Sequence, residues 1–115
     1  MNKLEREPTY LADILEATQK IERYLKSINF EQFIKNDLIY DAVIRELEII
    51  GEAANNLSWP TKDKYPEIPW RDIVDTRNKL IHGYSGLDSK IIWNTCQNDL
   101  PDLKNNISTI LKDQR

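Results

Sequence analysis

The segment RDIVDTRNKLIHGYS (71–85) brings together the residue types that can act on a phosphodiester. It holds the only histidine of the chain, His82, and two arginines, Arg71 and Arg77. Histidine, with an unperturbed pKa of about 6.5, can accept or release a proton near neutral pH. Arginine is a permanent planar cation that matches a phosphate. One group can move the proton of an RNA 2′-hydroxyl or of the leaving 5′-oxygen, while the other stabilises the charged phosphorane. The segment therefore contains the groups needed to cleave RNA without a metal.

The spacing of Arg77 and His82 limits how they can meet. They are five residues apart, which on a continuous helix is about 140° of rotation and about 7.5 Å of rise. Such a pair does not share a face. Either the helix ends before His82, or each residue meets its counterpart from another chain. A two-fold axis near this segment would place two arginines and two histidines in one cleft.

Each of these residues also has an ordinary structural explanation. A histidine at a helix end often caps the helix or packs against neighbouring side chains. Arg77 could pair with Asp75 or Glu46 on the surface. Tyr84, seven residues after Arg77, could be a half-buried aromatic. The short Arg-x₄-His-x-Tyr pattern by itself does not choose between these explanations and catalysis.

Hydrophobic periodicity predicts the elements that carry this segment. Apolar steps of three, four and seven residues indicate helices, while prolines and glycines mark the breaks. The predicted order is a helix from Pro8 to about Ile28 that starts at Pro8 and Thr9, a connector 29–36, a helix 37–57, a loop 58–69, a helix from Trp70 to about Ile81, and a last stretch capped by Asp88 or Ser89 and kinked or restarted at Pro101. This order predicts one all-α domain, 1–115, an antiparallel bundle of four or five helices.

The helix predicted over 37–57 is apolar around most of its circumference, with a polar stripe of only about 100°. Such a helix is either central in the bundle or also meets a second subunit. Glu46 projects into the apolar arc, where an unpaired charge is too costly. It therefore needs a partner, or it lies at the rim and extends to solvent. The pattern assigns it no role.

Composition excludes several classes of function. The 115 residues include 16 Lys and Arg against 19 Asp and Glu, a formal charge of −3, so no overall basic footprint for nucleic acid is present. One cysteine and one histidine exclude an intramolecular disulfide, a cysteine-based zinc cage and a multi-histidine metal site within one chain. No run of 18 apolar residues and no signal-peptide core occur. We therefore expect a cytoplasmic protein with no membrane association, metal or cofactor.

Three further sets of residues have weaker functional interpretations. Glu48 and Glu52 could hold a cation but are expected on a solvated face. Trp59 and Trp70 flank the proline-rich loop and could stack on bases, although packing of the loop onto the bundle is the favoured interpretation. Cys96 lies on an apolar stripe and is expected to be an inert buried thiol.

The chain resembles the HEPN superfamily, specifically the HepT-type toxin subunits of MntA–HepT toxin–antitoxin systems. The resemblance rests on Arg77-Asn78-x₃-His82-Gly83-Tyr84, the Arg-x₄₋₆-His element with a polar residue after the arginine and a tyrosine two after the histidine. Flanking matches are RELEIIGEAA (45–54), IPWR (68–71) and LPDL (100–103). Together these matches extend from about Thr9 to Leu111, which is nearly the whole chain.

The resemblance implies a role for each motif residue. Arg77 and His82 would be the ribonuclease pair, contributed by both protomers of a homodimer, and Asn78 would support the site. Tyr84 would be the hydroxyl to which an MntA-like nucleotidyltransferase antitoxin transfers AMP. The prediction is a metal-independent endoribonuclease toxin that cleaves RNA by attack of the 2′-hydroxyl. The alternative is a non-catalytic helical module that partners a nucleotidyltransferase and uses Arg77 and His82 to bind nucleotide.

Overall fold

The computed structural model describes residues 3–82 and 88–113, without the side chains of residues 3–5 and 82. Every regular element in these two ranges is helical, which confirms the predicted all-α class. The elements are α1 Lys3–Tyr24, α2 Phe30–Lys35, α3 Asp37–Asn56, α4 Trp59–Lys64, α5 Trp70–His82, α6 Ser89–Asn94, a π-helical turn Thr95–Asp99, and α7 Leu100–Asp113.

Contacts between helix ends show that neighbouring long helices run antiparallel. Glu7, early in α1, accepts a hydrogen bond of 2.6 Å from the backbone N–H of Ser58, just after α3. At the other end of α1, Glu22 pairs with Lys104 of α7 at 3.0 Å. The start of α1 thus meets the end of α3, and the end of α1 meets the start of α7. These contacts fit the predicted antiparallel bundle.

Helix α3 lies at the centre of this bundle, packed against α1 on one side and α5 on another, with α2 near its start. The nearly all-round apolar pattern is therefore explained by burial within the chain. Of the two alternatives left open for Glu46, the structure favours burial over a position at the rim, because the residue is only 7% exposed. The core around α3 includes Leu11, Ile14, Phe33, Val43, Ala54 and Ile107.

The predicted boundaries of α1 are wrong at both ends. The helix begins at Lys3, so Pro8 lies inside it rather than in the first turn. A proline near a helix start removes only one backbone hydrogen bond, and the preceding residue, Glu7, binds Ser58 from this position. At its other end α1 stops at Tyr24, and Ser27 then adopts a left-handed φ of 64°, a conformation that is not helical.

Two short helices occupy the segments predicted as connector and loop. Helix α2 begins with a capping box, in which Asn29 Oδ1 accepts from the Gln32 N–H at 2.9 Å and Gln32 Oε1 accepts from the Asn29 N–H at 2.8 Å. Helix α4 begins after Ser58, whose hydroxyl accepts from the Thr61 N–H, with Pro60 in its first turn. These helices are too short for hydrophobic periodicity to reveal, and capping side chains define them instead.

The last helical stretch has the predicted cap and the predicted irregularity. Asp88 accepts from the Ile91 N–H at 2.9 Å and caps α6. The π-helical turn immediately precedes α7, whose second residue is Pro101. Within this stretch Cys96 is buried, as predicted, and burial raises the pKa of its thiol to about 12. The thiolate is therefore not populated at neutral pH.

In the two described ranges, no helix is both long enough and apolar enough to cross a membrane.

Candidate active site on helix α5

Helix α5 is anchored at its start by a buried tryptophan. Trp70 is 6% exposed, and its indole N–H is 3.2 Å from the carbonyl oxygens of both Lys62 and Tyr65. This contact ties the first residue of α5 to the end of α4. The helix then continues to His82, one residue beyond the predicted end. The segment that holds the candidate chemistry therefore lies on an anchored helix packed against α3.

Arg77 of α5 lies directly opposite Gly51 of α3, at a close approach of the two helices. A methyl group on Gly51 would be 2.0 Å from Cβ of Arg77 and 3.2 Å from its Cα. Only a residue without a Cβ fits at that separation. Gly51 therefore sets the position of the Arg77 backbone. Sequence reasoning assigned no role to Gly51, although a glycine inside a 20-residue helix, at a cost of about 1 kcal/mol, is a signal for close packing.

The guanidinium of Arg77 has hydrogen-bonding capacity that the described residues do not use. Its Nη1 donates to Oδ1 of Asn78 at 2.9 Å. Its Nε is buried and has no partner in the described part of the chain. The ion pairs considered for it, with Asp75 or Glu46, do not form there. Because buried polar groups are nearly always hydrogen-bonded, this Nε is an exception among the described residues that calls for an explanation.

The helical backbone through His82 removes one of the two alternatives for the Arg77–His82 pair. Since α5 does not end before His82, positions 77 and 82 remain about 140° apart around one axis. Asn78 and His82, in contrast, are four residues apart and on the same side of α5. The Arg77–Asn78 hydrogen bond holds the guanidinium toward that side. The side chain of His82 and the whole of Gly83 and Tyr84 lie outside the described residues.

The remaining candidates divide between surface and core. Glu48 lies 3.8 Å from Arg45 and Glu52 is exposed, as expected for a solvated face. Within the described residues, no three His, Cys, Asp or Glu side chains are grouped as metal ligands would be. The packing interpretation is correct for Trp70 but wrong for Trp59, whose side chain is 55% exposed.

A groove on the described surface, the acidic groove, has the wrong charge for RNA. It has a volume of about 610 Å³ and lies between α5 and α7, over Leu47 and Ile50 of α3. Among the described residues, four carboxylates and no basic side chain line it: Glu67, Asp72, Asp99 and Asp102. Because a polyanion is repelled by such a rim, this groove is not the place where the Arg77 segment would receive RNA.

Comparison with known proteins identifies the family. The family model described as "Ribonuclease HepT-like" matches residues 14–110. A protein named "Probable ribonuclease HepT" from Thermococcus cleftensis is 45% identical over 103 residues, which cover 90% of this chain and 94% of that protein. Two further relatives have names that include the word RNase. One, from Methanocaldococcus jannaschii, is 39% identical over 88% of this chain and 93% of its own length. The other, from Caldanaerobacter subterraneus, is 38% identical over 92% of this chain and 95% of its own length.

No solved structure gives a significant match. The chain belongs to the HepT-like ribonuclease family, which confirms the resemblance stated from its motifs.

Proposed function

We propose that this chain is a metal-independent endoribonuclease, the toxin of a toxin–antitoxin pair that acts on cytoplasmic RNA. The observation that carries the proposal is the Arg77 guanidinium, which is hydrogen-bonded to Asn78 on the side of α5 that also carries His82 and has a buried Nε without a partner in the described residues. Membership of the HepT-like ribonuclease family supports the choice of RNA as substrate.

The proposed reaction requires only a proton carrier and a cation. His82 takes the proton of a 2′-hydroxyl, and the 2′-oxygen attacks the adjacent phosphorus. The guanidinium of Arg77 stabilises the added negative charge of the phosphorane. An imidazolium then gives a proton to the leaving 5′-oxygen as the P–O5′ bond breaks. The products are a 2′,3′-cyclic phosphate, or a 3′-phosphate after hydrolysis, and a 5′-hydroxyl.

We further propose that two copies of the chain form one site. A second copy packed against this side of α5 would bring its own arginine and histidine to the same cleft. Two histidines in a shared cleft also supply the base and the acid that the reaction needs. An apolar residue beside His82 supports contact between copies, because Ile81 is 46% exposed at this end of α5.

Cleavage assays test the catalytic part of the proposal. Wild-type protein should cleave single-stranded RNA in the presence of EDTA and leave 5′-hydroxyl ends. His82→Ala should cleave about 10²–10⁴-fold more slowly, because the general acid–base group is removed. Lys79→Ala, an exposed change three residues away on the same helix, is the matched control and should cleave like wild type. Ends bearing 5′-phosphate, or cleavage abolished by EDTA, would contradict the mechanism. A wild type that binds RNA or nucleotide without cleaving it, and that is harmless when expressed in cells, would support the non-catalytic binding module instead.

The regulatory part of the proposal concerns Tyr84, two residues after His82. AMP transferred to its hydroxyl by an MntA-like nucleotidyltransferase would add a negative charge beside the RNA phosphate and block its binding. Mass spectrometry of protein coexpressed with that partner should show one added AMP on the peptide that contains Tyr84. Tyr84→Phe should show none and should remain active in the presence of the partner. An unmodified wild-type peptide in an inactive, coexpressed protein would contradict this regulation.

A further inference from the structure

Trp59 is an exposed aromatic side chain placed beside two cations. Its ring is 55% exposed. Lys62 Nζ lies 4.7 Å from the ring centroid and Arg71 Cζ lies 5.7 Å from it, both within the range of cation–π attraction. Lys62 is buried, whereas Arg71 is exposed. Both cations therefore lie close to the indole, while more than half of the Trp59 surface stays open to solvent.

This side chain borders a groove whose lining is not dominated by carboxylates, unlike that of the acidic groove. The groove has a volume of about 560 Å³ and is lined by the end of α3, by α4 and by the start of α5. Its charged residues are Lys62, Arg71 and Asp75, so it lacks the excess of carboxylates that lines the acidic groove. A smaller groove that also borders Trp59 adds Asp63 and Asp72 to its lining. An anionic ligand is therefore favoured at Trp59 over the acidic groove.

The Trp59 groove and the candidate active site lie along one side of α5. At 100° per residue, positions 71, 78 and 82 fall within about 40° of each other around the helix axis. Asn78 follows Arg71 by about 10 Å along the axis, and His82 follows it by about 16 Å. A nucleic acid strand bound at Asn78 and His82 can continue along this side of the helix to Trp59.

We propose that Trp59 and Arg71 form a second subsite for single-stranded RNA. The indole stacks against an unpaired nucleobase, and the guanidinium of Arg71 binds a neighbouring phosphate. Stacking on an aromatic ring is tolerant of base identity because every base has a π face, whereas bases inside a duplex do not expose theirs. This inference rests on the proposed ribonuclease function. It gives the active site a preference for RNA that is unpaired beside the scissile bond.

Binding of a non-cleavable RNA tests the subsite separately from catalysis. The probe is a fluorescent single-stranded ten-nucleotide RNA with 2′-O-methyl groups throughout, which lacks the attacking hydroxyl. Trp59→Ala should raise its Kd by about 5–150-fold, the equivalent of the 1–3 kcal/mol of one base–aromatic stack. Trp59→Phe keeps an aromatic face and should stay within about threefold of wild type. Arg71→Ala should also weaken binding, while Arg23→Ala, the same change at an exposed position in the last turn of α1, should not.

A second readout separates a binding role from a structural one. With cleavable RNA, Trp59→Ala should raise KM and leave kcat unchanged, and a dinucleotide too short to reach Trp59 should be cleaved equally by both proteins. Equal Kd values for wild type and Trp59→Ala would overturn the subsite while leaving the ribonuclease proposal intact. If Trp59→Ala weakens binding but the wild-type protein never cleaves RNA, the subsite is supported and the ribonuclease function is refuted. No binding of the probe by wild type would overturn the subsite, and the cleavage assay then decides the function independently.

Discussion

Replacing Arg77 with alanine is expected to lower the rate of RNA cleavage by about 10²–10³-fold, the range measured when one charge-stabilising donor is removed from an active site. The physical reason is that the guanidinium is held by Asn78 at 2.9 Å and its Nε has no partner in the described residues. In this part of the chain only one Nη1 N–H is used, by Asn78, so other Nη N–H donors of the guanidinium can bind the phosphorane. Single-turnover cleavage at saturating protein measures the effect on the chemical step.

Two further variants define what Arg77 contributes. Arg77→Lys keeps the charge but loses the planar fork, so it should recover only a small part of the rate. Arg45→Ala removes an arginine that lies 3.8 Å from Glu48 on the surface of α3, and it should cleave within about twofold of wild type because exposed pairs contribute little. Cleavage by Arg77→Ala at the wild-type rate, in a protein with an unchanged melting curve, would remove Arg77 from the mechanism.

Replacing Gly51 with alanine is expected to destabilise the fold and to disable the site together. At an exposed helical position this change stabilises by about 1 kcal/mol. Here the new methyl group would lie 2.0 Å from Arg77 Cβ, so α3 and α5 must separate. We expect a net loss of about 1–3 kcal/mol in the free energy of unfolding, as for other overpacked cores. Displacement of Arg77 by about 1 Å should also cost about 10²-fold in cleavage rate. Urea unfolding and cleavage of RNA at a temperature where the variant is folded measure the two effects.

A double-mutant cycle distinguishes this contact from a general loss of packing. Arg77→Gly removes the Cβ that the new methyl group would strike. The double variant Gly51→Ala/Arg77→Gly should therefore be more stable than the sum of the single changes predicts, by about 0.5–3 kcal/mol. Glu52→Ala, at the exposed next position of α3, should leave both stability and cleavage unchanged. Additive effects of the two changes would show that the helices do not meet at this contact.

The parts of the fold that could be predicted are those that depend on local pattern. Hydrophobic periodicity located α3 and α5 to within one residue at each end, because a long helix repeats its buried face many times. Capping residues such as Asp88 also act locally and were identified correctly. Helices α2 and α4 escape prediction because six residues show no period, and α1 begins before Pro8 because a proline is tolerated inside the start of a helix.

The sequence by itself determined the chemical inventory of this protein. One histidine, one cysteine, and an arginine and an asparagine near the histidine follow from residue identity, and residue identity does not depend on folding. Only the tertiary structure decided that Gly51 brings α3 against Arg77, that Trp59 stays exposed while Trp70 is buried, and that the carboxylates of Glu67, Asp72, Asp99 and Asp102 line one groove. These are relations between residues far apart in the chain, and their distances are set by how whole helices pack. A pattern that is read along one helix carries no information about them.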